Sequence, residues 1–388
     1  MYRNTRFAEV MKALPRGQFE KLVDQYGADK HSKGFRCHDQ LMAMVFGQLT
    51  GSRSLRELEL AFNSHRTSHY HLGTRPVKRS TLAEANAKRD SRLYEALCGL
   101  LLKQVHRKAR REITNMLYLL DSTPIPLKGL GYDDWAAQQR THRTQGLKVH
   151  MLYSPEQTAP VYSQITSANV NDIEDARRMD LESGATYVFD KGYCDYNWWH
   201  EINQTGAMFV TRFKRNAALK VLNVNKSIDA KEAPILTDER VLLTNRHPGG
   251  KRRNQYDVAL RRVTVAREGK TPLVLATNDF KRSAAEIAEL YKARWQLELF
   301  FKWLKQNLKI KRFFGRSETA VKTQIYIALI TYLLVWFYHA RAGVTDTLRE
   351  CVVLLGATLF QRPETDYSVW KRRQQRRTEF LKKQGCLL

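Results

Sequence analysis

The sequence predicts an α/β (α+β) protein in which a mixed β-sheet with helices follows a helical N-terminal region. Three observations support this fold class. Residues 1–112 carry apolar residues at helical spacing, and from about residue 113 the pattern changes to short apolar runs separated by turns. A long apolar helix then follows the last of these runs. A hydrophobic fraction of 43% indicates a folded chain with a large core.

The N-terminal region (1–112) is predicted to consist of short helices. The segment HDQLMAMVFGQLTG is apolar-periodic and ends at Gly51, and Ser54 stands where the next helix needs an N-cap. Thr81 and Glu84 have the spacing of a capping box, which predicts a further helix start there.

Two basic residues, Lys78 and Arg79, flank the predicted start of that last short helix. Short helices that end in one with a basic first turn are typical of a helix-turn-helix-like DNA reader. We therefore expect residues 1–112 to bind DNA ends. An ordinary small helical bundle fits the same pattern about equally well.

A sheet-forming region is predicted at residues 113–213. NMLYLLDSTPIPL reads as a strand that is broken by Asp121 and Pro124, and GLKVHMLYS and APVYSQITSA around the polar turn PEQT read as a hairpin. The runs ATYVFDKGY, WWHEINQTG and AMFVTRFK then predict strand, helix and strand. This order predicts a mixed sheet with helices packed on it.

Residues 214–270 read as a β-rich, strongly basic insertion. RVLLTN and QYDVALRRVTVA flank the turn RHPGGKRR, which would present Arg246, Lys251, Arg252 and Arg253 to solvent. A basic hairpin of this kind suits contacts with phosphates, and a solvated loop is the alternative.

The sheet region is expected to resume at residues 271–345. TPLVLATND predicts a strand, and SAAEIAELYKARWQLELFFKWLKQNLKI predicts one long helix. The run IYIALITYLLVWFY is too short to span a bilayer comfortably, so it is predicted to be a buried helix. Residues 346–388 are expected to form a helical basic tail, whose segment KRRQQRRTEFLKK suits a helix on DNA or, as the alternative, a disordered arm.

The charge of the chain limits the classes of partner. Its formal net charge is +26 and its pI is about 9.9, which indicates a polyanionic partner, with nucleic acid as the first candidate. An acidic membrane surface fits less well, because no basic amphipathic anchor stands out. Five scattered cysteines without a C-x-x-C pair favour a reducing cytoplasm over a disulfide framework.

One predicted helical face combines an acid with bases. At about 100° per residue, Tyr291, Arg294, Glu298 and Lys305 fall within an arc of roughly 60°, and Lys302 lies near it. Apolar residues such as Leu297 gather on another side, which is the expected core face. A solvated face with ion pairs at i,i+4 is the plain alternative.

Three carboxylates occupy positions that suit metal chemistry. Asp121 and Asp190 each follow an apolar run, and Glu298 lies on the basic helical face. Converging carboxylates repel one another unless divalent cations bind between them, and Mg²⁺ prefers such oxygen ligands together with phosphate oxygens. Taken singly, each aspartate is also a good turn former. Together with Glu298 they favour two-metal phosphoryl transfer.

These motifs resemble those of bacterial insertion-sequence transposases of the DDE type, in the insertion-sequence-four family. The resemblance rests on LLDSTPIPL, VFDKGY and the signature Tyr291, Arg294, Glu298 and Lys305, in which two, three and six residues intervene. Trp295 directly follows the arginine, as is usual in that family. The resemblance covers roughly residues 113–345 and extends more loosely to the helical N-terminal region.

The resemblance implies an RNase H-like catalytic core interrupted by the β-rich insertion. It implies that Asp121, Asp190 and Glu298 are the catalytic residues and bind two Mg²⁺ ions, with Mn²⁺ as a substitute. It also implies DNA contacts near the cut. The full set of expected DNA-binding residues is Tyr291, Arg294, Trp295, Lys305, Lys302, Lys191, Arg212, Lys251, Arg252, Arg253, Lys78 and Arg79.

The expected activity is cut-and-paste DNA transposition by a bacterial, cytoplasmic, nucleoid-associated enzyme that acts as a homodimer on paired transposon ends. Two alternatives stay open: a structure-specific nuclease without strand transfer, and a catalytically idle DNA-binding regulator. The chain departs from the family pattern in one respect, since no tryptophan lies between Trp199 and Trp295 to stack on a flipped base. Tyr256 and Trp295 are the candidate substitutes.

Overall fold

The structure, a computed structural model, describes residues 5–112, 116–142, 144–224, 234–245, 252–308, 310, 312–342 and 346–363. The chain divides into two compact units. One, the helical unit, comprises Met1–Leu101 and Lys305–Leu388, and the other, the sheet unit, comprises Leu102–Leu304.

The α-helices of the described residues are, in chain order, α1 (Arg6–Met11), α2 (Arg16–Gln25), α3 (Cys37–Thr50), α4 (Leu55–Asn63), α5 (Arg79–Lys88), α6 (Arg92–Glu112), α7 (Asp133–Ala136), α8 (Asp172–Ala176), α9 (Tyr196–Gln204), α10 (Ala284–Ala293), α11 (Trp295–Asn307), α12 (Glu318–Ala342) and α13 (Leu348–Thr358). Short 3₁₀ turns cover Arg66–Leu72, Ala137–Gln139 and Lys191–Tyr193. Helices α6 and α11 each contribute residues to both units.

The strands of the sheet unit are β1 (Leu117–Pro126), β2 (Gly146–Ser154), β3 (Ala159–Ser167), β4 (Thr186–Phe189), β5 (Met208–Arg212), β6 (Leu219–Val224), β7 (Ile235–Leu243), β8 (Leu260–Arg267) and β9 (Lys270–Thr277). They form one sheet in the order β3-β2-β1-β4-β5-β9-β8-β7-β6. The β1–β4 and β4–β5 pairs are parallel, and the other pairs are antiparallel.

The predicted mixed sheet is confirmed, including the hairpin formed by β2 and β3. Strand β1 runs unbroken through Asp121 and Pro124, although both were expected to interrupt it. Proline is tolerated here because the pairing of β1 with β4 ends at Leu120, so Pro124 has a paired strand only on the β2 side, where it lies opposite Lys148. Asp121 therefore lies inside a central strand and not in a turn.

The basic insertion extends this same sheet. Strands β6, β7 and β8 lie beyond β9, which pairs with β5 and so joins the insertion to the first five strands. The predicted turn RHPGGKRR is only partly visible, since residues 246–251 lie outside the described residues and include Arg246 and Lys251. Residues 364–388 of the predicted basic tail also lie outside the described part.

The core of the helical unit is built around α3 and α12. Helix α3 is buried over most of its length and ends at Gly51, whose φ of 70° suits a glycine C-cap, as predicted. The ring of Phe46 lies 5.3 Å from that of Phe62, edge to face. The predicted buried helix is confirmed as α12, which packs against α1, α3, α5 and α13.

Helix α12 is long and apolar enough to cross a bilayer by length and composition, yet 89% of its most apolar window is buried inside the protein. Its contacts group it with the N-terminal helices. The sequence predicts this helix as part of a catalytic core of residues 271–345, whereas its contacts are with the N-terminal helices. An apolar helix packs wherever complementary apolar faces exist, so its own sequence does not determine its partners. The proposed domain limits (1–112, 113–213, 214–270, 271–345 and 346–388) stay a prediction.

Two local expectations are wrong. Helix α5 begins at Arg79 with Lys78 as N-cap, so Thr81 lies inside the helix and forms no capping box. The long predicted helix is divided into α10 and α11 at Arg294, where the backbone forms i→i+3 hydrogen bonds from Arg294 to Tyr291 and from Leu297 to Arg294. Such a tighter 3₁₀ turn rotates the following helix relative to a continuous one.

Candidate active site

Asp121 lies in the centre of the sheet unit, between strands β2 and β4. Its side chain is 19% exposed, and one carboxylate oxygen accepts a hydrogen bond of 2.8 Å from the backbone N–H of Ser122. Burial is the main reason that the pKa of Asp121 is raised to about 6. The negative charges of Asp190 and Glu298 raise that pKa further, so all three carboxylates share one electrostatic environment.

Asp190 follows strand β4 directly. Leu120 and Phe189 are partners in the parallel register of β1 and β4, so the residues after them, Asp121 and Asp190, come next to each other in the sheet. The Asp190 carboxylate accepts a hydrogen bond of 2.6 Å from the backbone N–H of Gly192 and so caps the 3₁₀ turn Lys191–Tyr193. The predicted position at a strand end is thus confirmed for this aspartate.

Arg294 connects the third carboxylate with the first. One of its terminal nitrogens lies 3.2 Å from a carboxylate oxygen of Asp121, and the other lies 2.6 Å from one of Glu298. The arginine side chain is only 16% exposed. Its position at the junction of α10 and α11 lets one guanidinium reach both acids.

The donor types suit a divalent cation of the Mg²⁺ class, because they are carboxylate oxygens, from β1, from the residue after β4 and from helix α11. Asp121 is also a buried acid whose charge is disfavoured unless a cation compensates it. Within the described residues, however, no three His, Cys, Asp or Glu side chains are arranged closely enough to hold a metal ion. The Arg294 guanidinium supplies the compensating charge between Asp121 and Glu298. Metal binding by the three acids stays a prediction.

Tyr291 and Trp295 flank Arg294 in sequence but differ in exposure. Tyr291 is 9% exposed, and the guanidinium carbon of Arg294 lies 5.9 Å from the centre of its ring. Trp295 is 58% exposed at the start of α11. Tyr256, the other candidate for stacking on a base, is 2% exposed, so its ring belongs to the core. Exposure therefore favours Trp295 for this role.

The other predicted DNA-binding residues of the sheet unit lie at several places. Lys191, next to Asp190, and Lys302 on α11 are exposed, and Arg212 is half-buried at the end of β5. The positive charge of Arg212 acts on the hydroxyl of Tyr291, which places it near that ring.

Of the predicted DNA-binding residues in the insertion, Arg252 and Arg253 belong to the residues that the structure describes. Arg252 and Arg253 are exposed, and Arg252 lies 3.1 Å from Asp195, which also pairs with Arg177 at 2.6 Å. Lys251 lies outside the described residues. Whether these residues bind DNA stays a prediction.

The remaining predicted DNA-binding residues, Lys78, Arg79 and Lys305, belong to the helical unit. Lys78 and Arg79 are exposed at the start of α5. Lys78 borders a cavity of about 790 Å³ whose wall includes further cationic side chains, namely Lys30, Lys33, Arg75, Lys88 and Arg89. Arg79 lines another cavity of about 610 Å³ together with Arg53 and Arg56. This end of the unit is therefore rich in positive charge.

A further acid near the site was missed by the sequence reasoning. Asp172, the first residue of α8, accepts hydrogen bonds from Ser122 and Lys148, each at 2.9 Å. An acid in the first turn of a short helix is common and carries no functional signal by itself. Only the folded sheet brings it beside the residue that follows Asp121.

Comparisons with known proteins show which family the chain resembles. A family described as transposase DDE domain matches residues 114–334, and a domain of unknown function matches residues 2–75. A Sinorhizobium fredii protein named as a transposase is 41% identical over 283 residues, which cover 72% of this chain and 77% of that protein. A Geobacillus stearothermophilus protein named as an insertion-sequence transposase is 26% identical over 66% of both chains.

A Synechocystis protein named as an insertion-sequence transposase is 24% identical over 66% of this chain and 70% of its own. A solved piggyBac transposase in a synaptic complex with hairpin DNA aligns over 95% of this chain and 84% of its own, with 8% identity and a TM-score of 0.48. The DDE domain match, with the mixed sheet, confirms the RNase H-like fold. The chain therefore belongs to the DDE transposase family, as a bacterial insertion-sequence transposase that acts on DNA.

Proposed function

We propose that this transposase works by cut-and-paste: it binds the terminal inverted repeats of its element, cleaves there by metal-dependent hydrolysis, and joins the resulting 3′-hydroxyl ends to target DNA. One observation carries the proposal. Asp121 lies on β1 one residue past the end of its parallel pairing with β4, Asp190 directly follows β4, and Arg294 contacts Glu298 at 2.6 Å and Asp121 at 3.2 Å. This arrangement brings three acids to one place beside a basic helix.

The chemistry consists of two displacements at phosphorus. Water attacks the phosphodiester at each element end, the bond to the departing strand breaks, and a 3′-hydroxyl is released. That hydroxyl then attacks a target phosphodiester and displaces another 3′-oxygen. Asp121, Asp190 and Glu298 would hold two Mg²⁺ ions, for which Mn²⁺ would substitute, and these would activate the attacking oxygen and stabilise the leaving one.

The side chains around the acids have complementary roles in this proposal. The guanidinium of Arg294 can exchange its contacts with the carboxylates for contacts with a DNA phosphate, because phosphate offers the same paired oxygens. Trp295 is an exposed aromatic beside it, which supports a stacking role on a base near the cut. Lys191 and Lys302 are exposed and would add phosphate contacts, and Lys305 would contact DNA near the cut.

Metal binding is expected to strengthen as pH rises through about 6. Burial raises the pKa of Asp121 to about 6, so its metal-free carboxyl is protonated below that pH and must lose the proton before it can bind a cation. Above that pH the proton no longer competes. Mn²⁺ titrations of the full chain, followed by electron paramagnetic resonance on both sides of pH 6, measure the change. An affinity that is constant across this range would contradict the role of Asp121 as a ligand.

Binding to element ends is expected to weaken steeply with salt. With 65 lysines and arginines against 39 acids, the chain makes contacts that release condensed counterions. The affinity should fall by roughly a thousandfold or more between low and physiological salt. Fluorescence anisotropy with a labelled terminal repeat at several salt concentrations measures this slope. A flat profile would show that the surplus charge does not serve DNA binding.

A strand-transfer assay with paired ends distinguishes the proposed function from its alternatives. Joined products support the transposase mechanism, products that are cut but never joined indicate a nuclease, and binding without cutting indicates an idle regulator.

The mass of the active complex on end DNA tests the proposed homodimer, since two ends must be held together before joining. Full activity from a complex with one protein chain would refute the dimer. Because the proposed substrate is bacterial DNA, we expect the enzyme to act at the nucleoid, in the bacterial cytoplasm.

A further inference from the structure

Asp172, whose side chain is 27% exposed, occupies a central position in a part-buried polar network of the sheet unit. One of its carboxylate oxygens accepts hydrogen bonds from the hydroxyl of Ser122 and the amine of Lys148, each at 2.9 Å. Lys148 is 17% exposed and donates a second hydrogen bond, of 2.6 Å, to the backbone carbonyl of Val170 just before α8. The lysine therefore fixes Asp172 and the start of α8 relative to strand β2.

The network continues to Asp121 through one residue. The hydroxyl of Ser122 donates to Asp172, while the backbone N–H of the same serine donates to Asp121 at 2.8 Å. Ser122 is thus held on both sides, so a change in its contact with Asp172 can be transmitted to the peptide that donates to Asp121. Successive side chains of a strand point to opposite faces, so Asp172 acts on Asp121 from the other face of β1.

Asp172 also lies against the turn that holds Asp190. A Cβ atom placed on Gly192 would come within 3.7 Å of the second carboxylate oxygen of Asp172 and within 2.7 Å of Asp190. The N–H of Gly192 is the group that donates to Asp190. The Asp172 side chain therefore lies beside Ser122 and Gly192, whose backbone N–H groups donate to the two predicted metal-binding aspartates, Asp121 and Asp190.

Buried polar atoms without hydrogen bonds surround this network. In the described part of the chain the Tyr193 hydroxyl, Nδ1 of His150 and one oxygen of Asp175 have no hydrogen-bond partner, although all three residues are at most 1% exposed. Nδ1 of His150 lies 3.8 Å from Asp172 and 3.9 Å from Asp175. Unsatisfied buried groups are rare in stable cores and cluster where function requires them.

We propose that Asp172, anchored by Lys148, is a positioning residue that holds the carboxylates of Asp121 and Asp190 in the orientation that binds divalent cations. The inference rests on the proposed function and deepens it by adding a fourth acid that acts through Ser122 and Gly192. Residues that orient metal ligands from behind commonly change metal affinity or activity by about 10–100-fold when they are replaced.

The test measures Mn²⁺ binding as well as cleavage. Full-length chain with an uncleaved terminal-repeat duplex is titrated with Mn²⁺ and followed by electron paramagnetic resonance, and cleavage rates are measured across the same concentrations. In Asp172→Asn the Mn²⁺ dissociation constant should rise about 10–100-fold, while the cleavage rate at saturating Mn²⁺ recovers most of the parental value. Thermal unfolding of each variant reports on stability.

Two further variants separate positioning from simpler explanations. Ser122→Ala removes the link to Asp172 without any change of charge, so it should shift the Mn²⁺ dissociation constant in the same direction. It also keeps the proposal testable if Asp172→Asn does not fold. Glu174→Gln removes an exposed acid from the same short helix and should leave Mn²⁺ binding at the parental value.

The possible outcomes are distinct. A shift in Asp172→Asn without one in Ser122→Ala would mean a long-range charge effect and would overturn the positioning role. An equal loss of rate at every Mn²⁺ concentration, with a lower unfolding temperature, would mean a merely structural role and would also overturn it. Asp121→Ala in the same titration tests the underlying site: if it binds Mn²⁺ like the parent, the proposed function fails at that residue, independently of Asp172.

Discussion

Alanine in place of Asp121, Asp190 or Glu298 is expected to reduce cleavage at the element ends by about a thousandfold or more, with end binding largely intact. A bound cation contributes several kcal/mol of transition-state stabilisation, and each 1.4 kcal/mol is a factor of ten in rate. End binding should persist because it depends on many of the 65 basic residues and on none of these acids.

The fold should tolerate the replacement of Asp121 by alanine. Burial raises the pKa of Asp121 to about 6, so its charged form is less favourable in the folded protein than in the unfolded chain. Below the unfolded pKa this residue contributes its full stability, and that contribution is lost as pH rises through about 6. At neutral pH, removal of the Asp121 charge is therefore expected to relieve an electrostatic cost, and Arg294 keeps its contact of 2.6 Å with Glu298.

Single-turnover cleavage with Mg²⁺ and anisotropy on the same terminal-repeat duplex check this expectation. Asp134→Ala is the matched control, because Asp134 is an exposed acid of the same unit and its loss should change neither quantity. If any one of the three variants cuts at a near-parental rate, that residue is not a metal ligand. A parallel loss of binding and cutting would instead point to a defect in folding.

Much of the sheet unit is readable from local sequence, because strand pairs joined by short turns are specified by neighbouring residues. The hairpin of β2 and β3 around PEQT is such a case. Strand β4, which ends just before Asp190, is predicted from its own apolar run. Periodicity also identified the buried face of α11, where Leu297 and Leu304 are fully buried, and a continuous apolar run identified α12 as a buried helix. These features depend on which side of an element is apolar.

The packing partners of a helix and its exact backbone geometry are harder to predict from the sequence. The apolar pattern of α12 indicates burial but does not say which unit provides its neighbours. The turn at Arg294 has no sequence signal, since its residues also suit an α-helix, yet it divides the predicted helix into α10 and α11 at the residue that contacts both acids. Asp172 was missed because its link to Asp121 passes through Ser122 across sequence separations that no local pattern reports.

Arg294→Ala is expected to lower the cleavage rate by about a hundredfold while end affinity stays close to the parental value. Removal of one preorganised group that stabilises developing charge typically costs about 100–1,000-fold in rate. The guanidinium is one charge among 65 lysines and arginines, so its share of the overall attraction for DNA is small. Its effect on the cleavage rate should be large, because the guanidinium lies 3.2 Å from Asp121 and 2.6 Å from Glu298.

The same substitution should also make the protein more dependent on metal. Without the guanidinium, Asp121 and Glu298 lose the charge that compensates them, so the metal-free variant should unfold at a lower temperature than the parent. Mn²⁺ should then raise the unfolding temperature of the variant more than that of the parent, because a cation replaces the missing charge. Calorimetry with and without Mn²⁺ measures this difference.

Lys292→Ala is the matched control for Arg294→Ala. Lys292 stands two residues away, its side chain is 76% exposed, and it pairs with Glu289 at 3.2 Å, so its loss removes the same charge without touching the acids. It should leave both the cleavage rate and the response to Mn²⁺ near parental values. Equal losses of binding and cleavage in Arg294→Ala would show that the arginine serves general DNA attraction. An unchanged response to Mn²⁺ would show that its contacts with Asp121 and Glu298 do not compensate their charge.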